Sequence, residues 1–173
     1  MPLERLWAGW RGRYVGSTGG VGGDGDVDEG DGCVFCRILA SGEPDEATYV
    51  VWRGQASVAI LNAYPYTSGH LMLMPIRHVA DLEALDAAEG AELWGAVTAA
   101  VVAVRAAYAP EGLNVGANLG RAGGAGLPGH LHLHCLPRWT GDTNFMTTVA
   151  EARVLPEALP TTWSRLRAAW PID

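Results

Sequence analysis

Gly129-His130-Leu131-His132-Leu133-His134-Cys135-Leu136-Pro137-Arg138-Trp139 decides how the rest of the chain is read. Three of the chain's five histidines alternate here with leucine. Strict alternation marks a β-strand, whose successive side chains point to opposite faces. His130, His132 and His134 then share one face. Leu131, Leu133 and Cys135 share the other, against a core. A solvated histidine face is the plain alternative, but Thr or Glu would serve better there. Near neutral pH an imidazole works as metal ligand, nucleophile or acid/base, so this face reads as a site.

Upstream, residues 113–120 read as a strand that runs into a glycine-rich loop, residues 121–129. Such a loop is often a plain turn. Beside the histidines it gains weight, because bare backbone N–H groups can approach phosphate oxygens where no Cβ intervenes. Leu71-Met72-Leu73-Met74-Pro75-Ile76 is apolar on both faces and predicts a central strand covered on both sides, with Pro75 limiting the ladder. His70 and His78 flank it. Eight residues apart, they lie roughly 26 Å from one another on an extended chain, so one metal cannot take both. Residues 48–52 and 57–62 read as a hairpin. Tyr64-Pro65-Tyr66-Thr67-Ser68-Gly69 is a turn-rich connection.

Residues 79–108 are helical by pattern. Leu93, Val97, Val101, Val104 and Tyr108 form a stripe that should pack on the sheet; Asp81 or Asp86 can cap the start, and Pro110 marks the end. Residues 161–170 read as a C-terminal helix capped by Thr161 or Thr162, with Trp163, Leu166 and Trp170 on one face. The expected fold is therefore α+β: about five mainly antiparallel strands, one long helix and a C-terminal helix.

Composition bounds the rest. At 173 residues with half of them apolar, one globular domain, residues 33–173, is expected. The N-terminal residues 1–15 carry two Trp and a Tyr and should dock on the domain or on a partner subunit. In residues 16–32, eight of seventeen are Gly, five are acidic and none is basic, which predicts a flexible linker. The sequence offers no run of the ~20 apolar residues that a membrane span needs and no signal-peptide pattern, so a cytoplasmic protein that binds no membrane is expected. A net charge of −7 and the absence of lysine argue against nucleic acid as a partner. Cys135, on the leucine face, reads as a small buried hydrophobe. Cys33-x-x-Cys36 follows the linker rather than a strand, which favours a zinc half-site over a redox pair.

These motifs resemble the histidine triad superfamily. The His-x-His-x-His strand carries the resemblance, with Gly69-His70-Leu71, Pro75-Ile76-Arg77-His78 and the tail Pro137-Arg138-Trp139-Thr140-Gly141-Asp142-Thr143-Asn144-Phe145-Met146. The tail and the tryptophan-rich opening are similar to the branch of bacterial dinucleoside polyphosphate phosphorylases and hydrolases. The resemblance implies a nucleophile, His132, that forms a nucleotidyl-histidine intermediate, and His134 as donor to the phosphates or acid for the leaving group. It implies zinc held by Cys33, Cys36, His78 and His130. Substrate contacts would come from Asn62 at the ribose, Asn118, the backbone at Gly126, Phe35, Arg138 and His134. His70 would sit near the phosphate path or in the core.

The family's Gly-Gln-Ser/Thr-Val segment corresponds to Ala125-Gly126-Leu127-Pro128. The usual glutamine and hydroxyl are missing, so α-phosphate contacts pass to backbone, Asn118, Arg121 or water. The expected reaction is cleavage of a dinucleoside polyphosphate, diadenosine tetraphosphate foremost, with inorganic phosphate as second acceptor. A hydrolase or phosphoramidase, and a non-catalytic nucleotide-binding zinc protein, are the alternatives. Family members commonly pair, so a homodimer is expected.

Overall fold

A computed structural model describes residues 32–143 and 157–171. The expected docking segment, all of the expected linker but Gly32, and the end of the tail motif lie outside the described residues. The architecture is α+β, as the sequence predicts. Five strands form one antiparallel sheet: β1 (Val50–Arg53), β2 (Ser57–Leu61), β3 (Leu71–Pro75), β4 (Gly112–Ala117) and β5 (Leu133–Arg138), in the order β1-β2-β3-β5-β4. Among them run helices α1 (Val34–Ala40), α2 (Asp45–Thr48), α3 (Ala87–Tyr108) and α4 (Leu159–Ala169).

Side-chain parity divides the sheet into two faces. On one, Val51, Ala59, Leu61, Leu71, Leu73, Leu133 and Cys135 pack against α3 and α4. On the other, Val50, Val58, Ile60, Met72 and Met74 lie under Cys33 and Phe35 at the start of α1. β3 is buried at every position, as its two-sided apolar sequence requires.

The long helix starts at Ala87, later than its sequence pattern predicts. Asp86 accepts from the N–H groups of Ala88 and Glu89, and Glu89 accepts from Asp86 N–H, a capping box that fixes the start. Asp81 instead precedes a single 3-10 turn, Leu82–Ala84. By length and composition α3 would suffice to cross a membrane, although its unbroken apolar stretch is short; its buried side chains pack on the sheet.

Helix α4 also starts earlier than expected. Neither Thr161 nor Thr162 caps it: the N-cap is Ala158, with proline in the first turn, and the Thr162 hydroxyl donates to Glu157 instead (2.9 Å). Trp163 Nε1 and Arg167 Nη1 donate to the carbonyls of Val50 and Val51 (2.8 and 2.6 Å), which ties α4 to edge strand β1.

Candidate active site and metal centre

The ladder of β5 begins only at Leu133, three residues later than the alternation suggests. Just before it, Leu131 N–H donates to Val79 O (2.7 Å). That bond lays His78 beside His130. Helix α1 brings Cys33 and Cys36 over the same spot. The four ligand atoms lie within 4.8 Å of one another. His130 Nδ1 is 3.3 Å from Cys33 Sγ and 3.6 Å from Cys36 Sγ; His78 Nδ1 is 3.4 Å from Cys36 Sγ. A tetrahedral zinc shell sets S and N about 3.6 Å apart, so the donor set fits one ion. His130 Nε2–H donates to Pro75 O (2.8 Å), which leaves Nδ1 as a lone pair towards the sulfurs. Burial lowers the His130 pKa and keeps the ring neutral, the form that ligates.

His132 and His134 follow on the same face, with ring centroids 5.1 Å apart. Their tautomers are opposite. His132 Nδ1 pairs with the carbonyl of His130 (2.8 Å), so Nδ1 carries the proton and Nε2 is a bare lone pair. The wall against His132 is Phe35, edge-on at 5.4 Å, which also stands edge-on to His130. Burial lowers the His132 pKa, so the lone pair persists below the usual histidine range.

His134 takes its state from His70. Tyr66 N–H donates to His70 Nδ1 (3.1 Å), so the His70 proton is on Nε2, which lies 2.9 Å from His134 Nδ1. His134 Nδ1 therefore accepts, and its Nε2–H is the donor. Burial, followed by the charge of His132, pushes the His134 pKa down to about 4. At neutral pH it is a hydrogen-bond donor, not a stored proton.

The remaining expected residues fall in different places. Asn62 follows β2, pairs through its N–H with His70 O, and uses Oδ1 to accept from Tyr64 N–H (2.9 Å). Phe35 is 5% exposed, so its ring buttresses imidazoles and leaves little surface for a base. Asn118 continues the β4 parity that puts Gly116 opposite His134, and its Nδ2 donates to Gly124 O, bracing the loop (3.4 Å). Gly126 lies half-buried in that loop. Arg138 shares the histidine face, and its guanidinium is held by Asp142 (2.6 and 2.9 Å) and Asn114 (2.7 Å).

Two features escape a sequence reading. Gly116, opposite His134, faces open space: a Cβ there would meet nothing within 4 Å. The Tyr66 ring lies 4.7 Å from His70 and 6.2 Å from His134. Both depend on the β4–β5 register and the 62–70 loop, which the sequence pattern does not specify.

The sequence matches the HIT domain family over residues 43–141. It is 39% identical over 168 residues to the AP-4-A phosphorylase of Mycobacterium tuberculosis, covering 97% of this chain and 85% of that protein. Among solved structures, a zinc-bound histidine triad family protein from Mycobacterium smegmatis superposes with a TM-score of 0.66 at 27% identity, over 82% of this chain and 94% of that one. A hypothetical histidine triad nucleotide-binding protein from Sulfolobus tokodaii gives 0.65 at 27% identity, over 79% and 91%.

Proposed function

The chain belongs to the HIT domain family, and from that premise we propose that it is a nucleotidyl-transferring enzyme, a phosphorylase of diadenosine tetraphosphate. The observation that carries the chemistry is the pair of opposite tautomers: a bare Nε2 on His132 beside an Nε2–H on His134. Nε2 of His132 attacks the α-phosphorus of one nucleotide. The bond to the bridging oxygen breaks, and the departing nucleoside triphosphate oxygen is met by the N–H of His134. An oxygen of inorganic phosphate then attacks the same phosphorus, the P–N bond breaks, and ADP leaves with His132 restored. The relationship to an AP-4-A phosphorylase over nearly the whole chain supports phosphate rather than water as the second acceptor. Asn62, Asn118, the Gly126 backbone and Arg138 are the further substrate contacts in this reading.

We assign zinc to Cys33, Cys36, His78 and His130. Four protein ligands close the shell, so the ion would staple the start of α1 to the sheet and supply no Lewis-acid chemistry. Zinc ligation by Cys33 and Cys36 needs reduced thiols, which supports a reducing, cytoplasmic site of action. Edge strand β4 with exposed Val115, and the exposed stripe of α3 with Trp94 and Val102, support pairing with a second copy of the chain.

Product analysis tests the reaction. Purified protein is incubated with diadenosine tetraphosphate, with and without phosphate. ADP and ATP formed only with phosphate is the expected result; AMP and ATP in both tubes would replace phosphorylase by hydrolase. His132→Ala should lose turnover by orders of magnitude with the fold and metal content intact. Near-normal turnover in that variant would remove His132 as nucleophile.

A further inference from the structure

The loop between β2 and β3 places two tyrosines at the rim of the site, and neither enters the chemistry above. Tyr64 is 79% exposed and Tyr66 38%. Isolated exposed aromatics are common on surfaces, but these two stand on a braced loop. Tyr64 N–H donates to Asn62 Oδ1 (2.9 Å), Tyr66 N–H to His70 Nδ1 (3.1 Å), His70 N–H to Thr67 O (3.3 Å) and Thr67 Oγ1 to Pro137 O (3.2 Å). Pro65 fixes φ between the two rings. The loop is thus pinned to β2, β3 and β5 together, and its rings keep a fixed position relative to the histidines.

That position has a direction. Along the site the rings follow one another: Phe35, His132 at 5.4 Å, His134 at a further 5.1 Å, then Tyr66 at 6.2 Å. Tyr66 lies beside the donor and beside His70, which sets the donor's tautomer. The leaving oxygen has to lie at the N–H of His134. A phosphate chain that continues past that point can carry its distal end towards Tyr66, and Tyr64 stands two residues away on the same braced loop. Aromatic faces bind nucleobases by stacking, irrespective of base identity.

We propose that Tyr64 and Tyr66 form a stacking platform for the base of the leaving nucleotide, the half of the dinucleotide that does not become attached to His132. This rests on the nucleotidyl-transfer reading of the site. It adds a specificity determinant: the enzyme prefers a substrate with a second nucleoside because this platform engages it.

The test compares diadenosine tetraphosphate with adenosine 5′-tetraphosphate, which has the same phosphate chain and no second nucleoside. The wild-type enzyme should favour the dinucleotide in kcat/KM by about tenfold, the worth of one stacked base. Tyr64→Ala and Tyr66→Ala should shrink that ratio towards one, and Tyr66→Phe should keep it. An equal loss on both substrates would overturn the platform, because the tyrosines would then act on the reacting nucleotide or on His70. An unchanged ratio would overturn it too.

Dissociation constants of the same two ligands, measured by calorimetry in the His132→Ala background, separate this proposal from the reaction. If the wild-type enzyme turns over neither substrate, yet in that background the dinucleotide binds more tightly and Tyr64→Ala abolishes the difference, the platform stands and the phosphorylase reading fails. If the two ligands bind equally in that background, the platform falls whatever the turnover.

Discussion

Replacing Gly116 separates stability from function in a way few positions allow. Gly116 lies on β4 directly opposite His134, is exposed, and is not among the glycines with positive φ. A Cβ built there meets no atom within 4 Å. Nothing in the fold therefore opposes a side chain. Glycine in a strand costs about 0.5–1 kcal/mol relative to alanine, and a β-branched residue suits a strand still better. Gly116→Val should leave the melting temperature unchanged or raise it by about 2–4 °C. The same side chain fills open space on the histidine face opposite His134, where the proposed phosphate chain passes. Phosphate oxygens cannot share that volume, so kcat/KM should fall at least about tenfold, ~1.4 kcal/mol of transition-state stabilisation. Gly116→Ala, adding one methyl, should fall between the two. Thermal denaturation read by circular dichroism and steady-state turnover of diadenosine tetraphosphate suffice. A Gly116→Val enzyme that is folded and turns over at the wild-type rate would mean that the substrate does not cross β4 beside His134. A large fall in melting temperature would mean that the space is not open.

Three more outcomes are expected. The purified protein should contain about one zinc per chain, and Cys33→Ser or Cys36→Ser should lower both metal content and melting temperature; elemental analysis finding no metal beside fully titratable thiols would remove the ion. Stability should fall with pH in the range where histidines titrate. The native state holds His130, His132 and His134 with lowered pKa values, His134 at about 4, against an ordinary value of 6.5. An unfolded chain binds protons there that the native state refuses, so this contribution is complete above about 6.5 and is lost progressively as pH falls towards about 4; a melting temperature that stays flat from pH 7 to pH 5 would refute it. Glu92 accepts from Ala56 N–H (2.9 Å) and Ser57 N–H (2.8 Å), tying α3 to the β1–β2 hairpin. Glu92→Ala should cost about 1.5–3 kcal/mol in urea denaturation and leave kcat untouched, whereas an unchanged midpoint would show that water satisfies those groups equally well.

The parts of this molecule that were legible in advance are those written in side-chain period. Period two in residues 130–135 separates leucine from histidine, and the sheet keeps that separation: Leu131, Leu133 and Cys135 enter the α3 core, and the histidines take the opposite face. The two-sided apolar run at β3 correctly predicts burial on both faces. Boundaries were less legible because they depend on single hydrogen bonds. The capping box at Asp86 sets the start of α3, and the commitment of the Thr162 hydroxyl to Glu157 removes it as a cap for α4. The role of His70 was not legible at all. Its sequence neighbours say nothing about the Tyr66 N–H that fixes its tautomer or about His134, sixty-four residues away.

Strand geometry also separates the duties of the three histidines. Only His134 lies in the β5 ladder, which begins at Leu133, whereas His130 precedes it beside His78 and the two cysteines. An ion held at His130 would therefore sit at the other end of the histidine series from the donor. In the proposed mechanism it meets the chemistry through His132, by the backbone: the carbonyl that fixes the His132 tautomer belongs to His130, whose Nδ1 is one of the four clustered donor atoms. One residue would thus hold the proposed ion with its imidazole while its carbonyl fixes the His132 tautomer. At the other end His70, 1% exposed and bonded to His134, sets the donor. His132 and His134 are each oriented from outside the pair, one by the carbonyl of His130 and one by the 62–70 loop. The two ring protons therefore stay in opposite places without any contact between His132 and His134 having to enforce it.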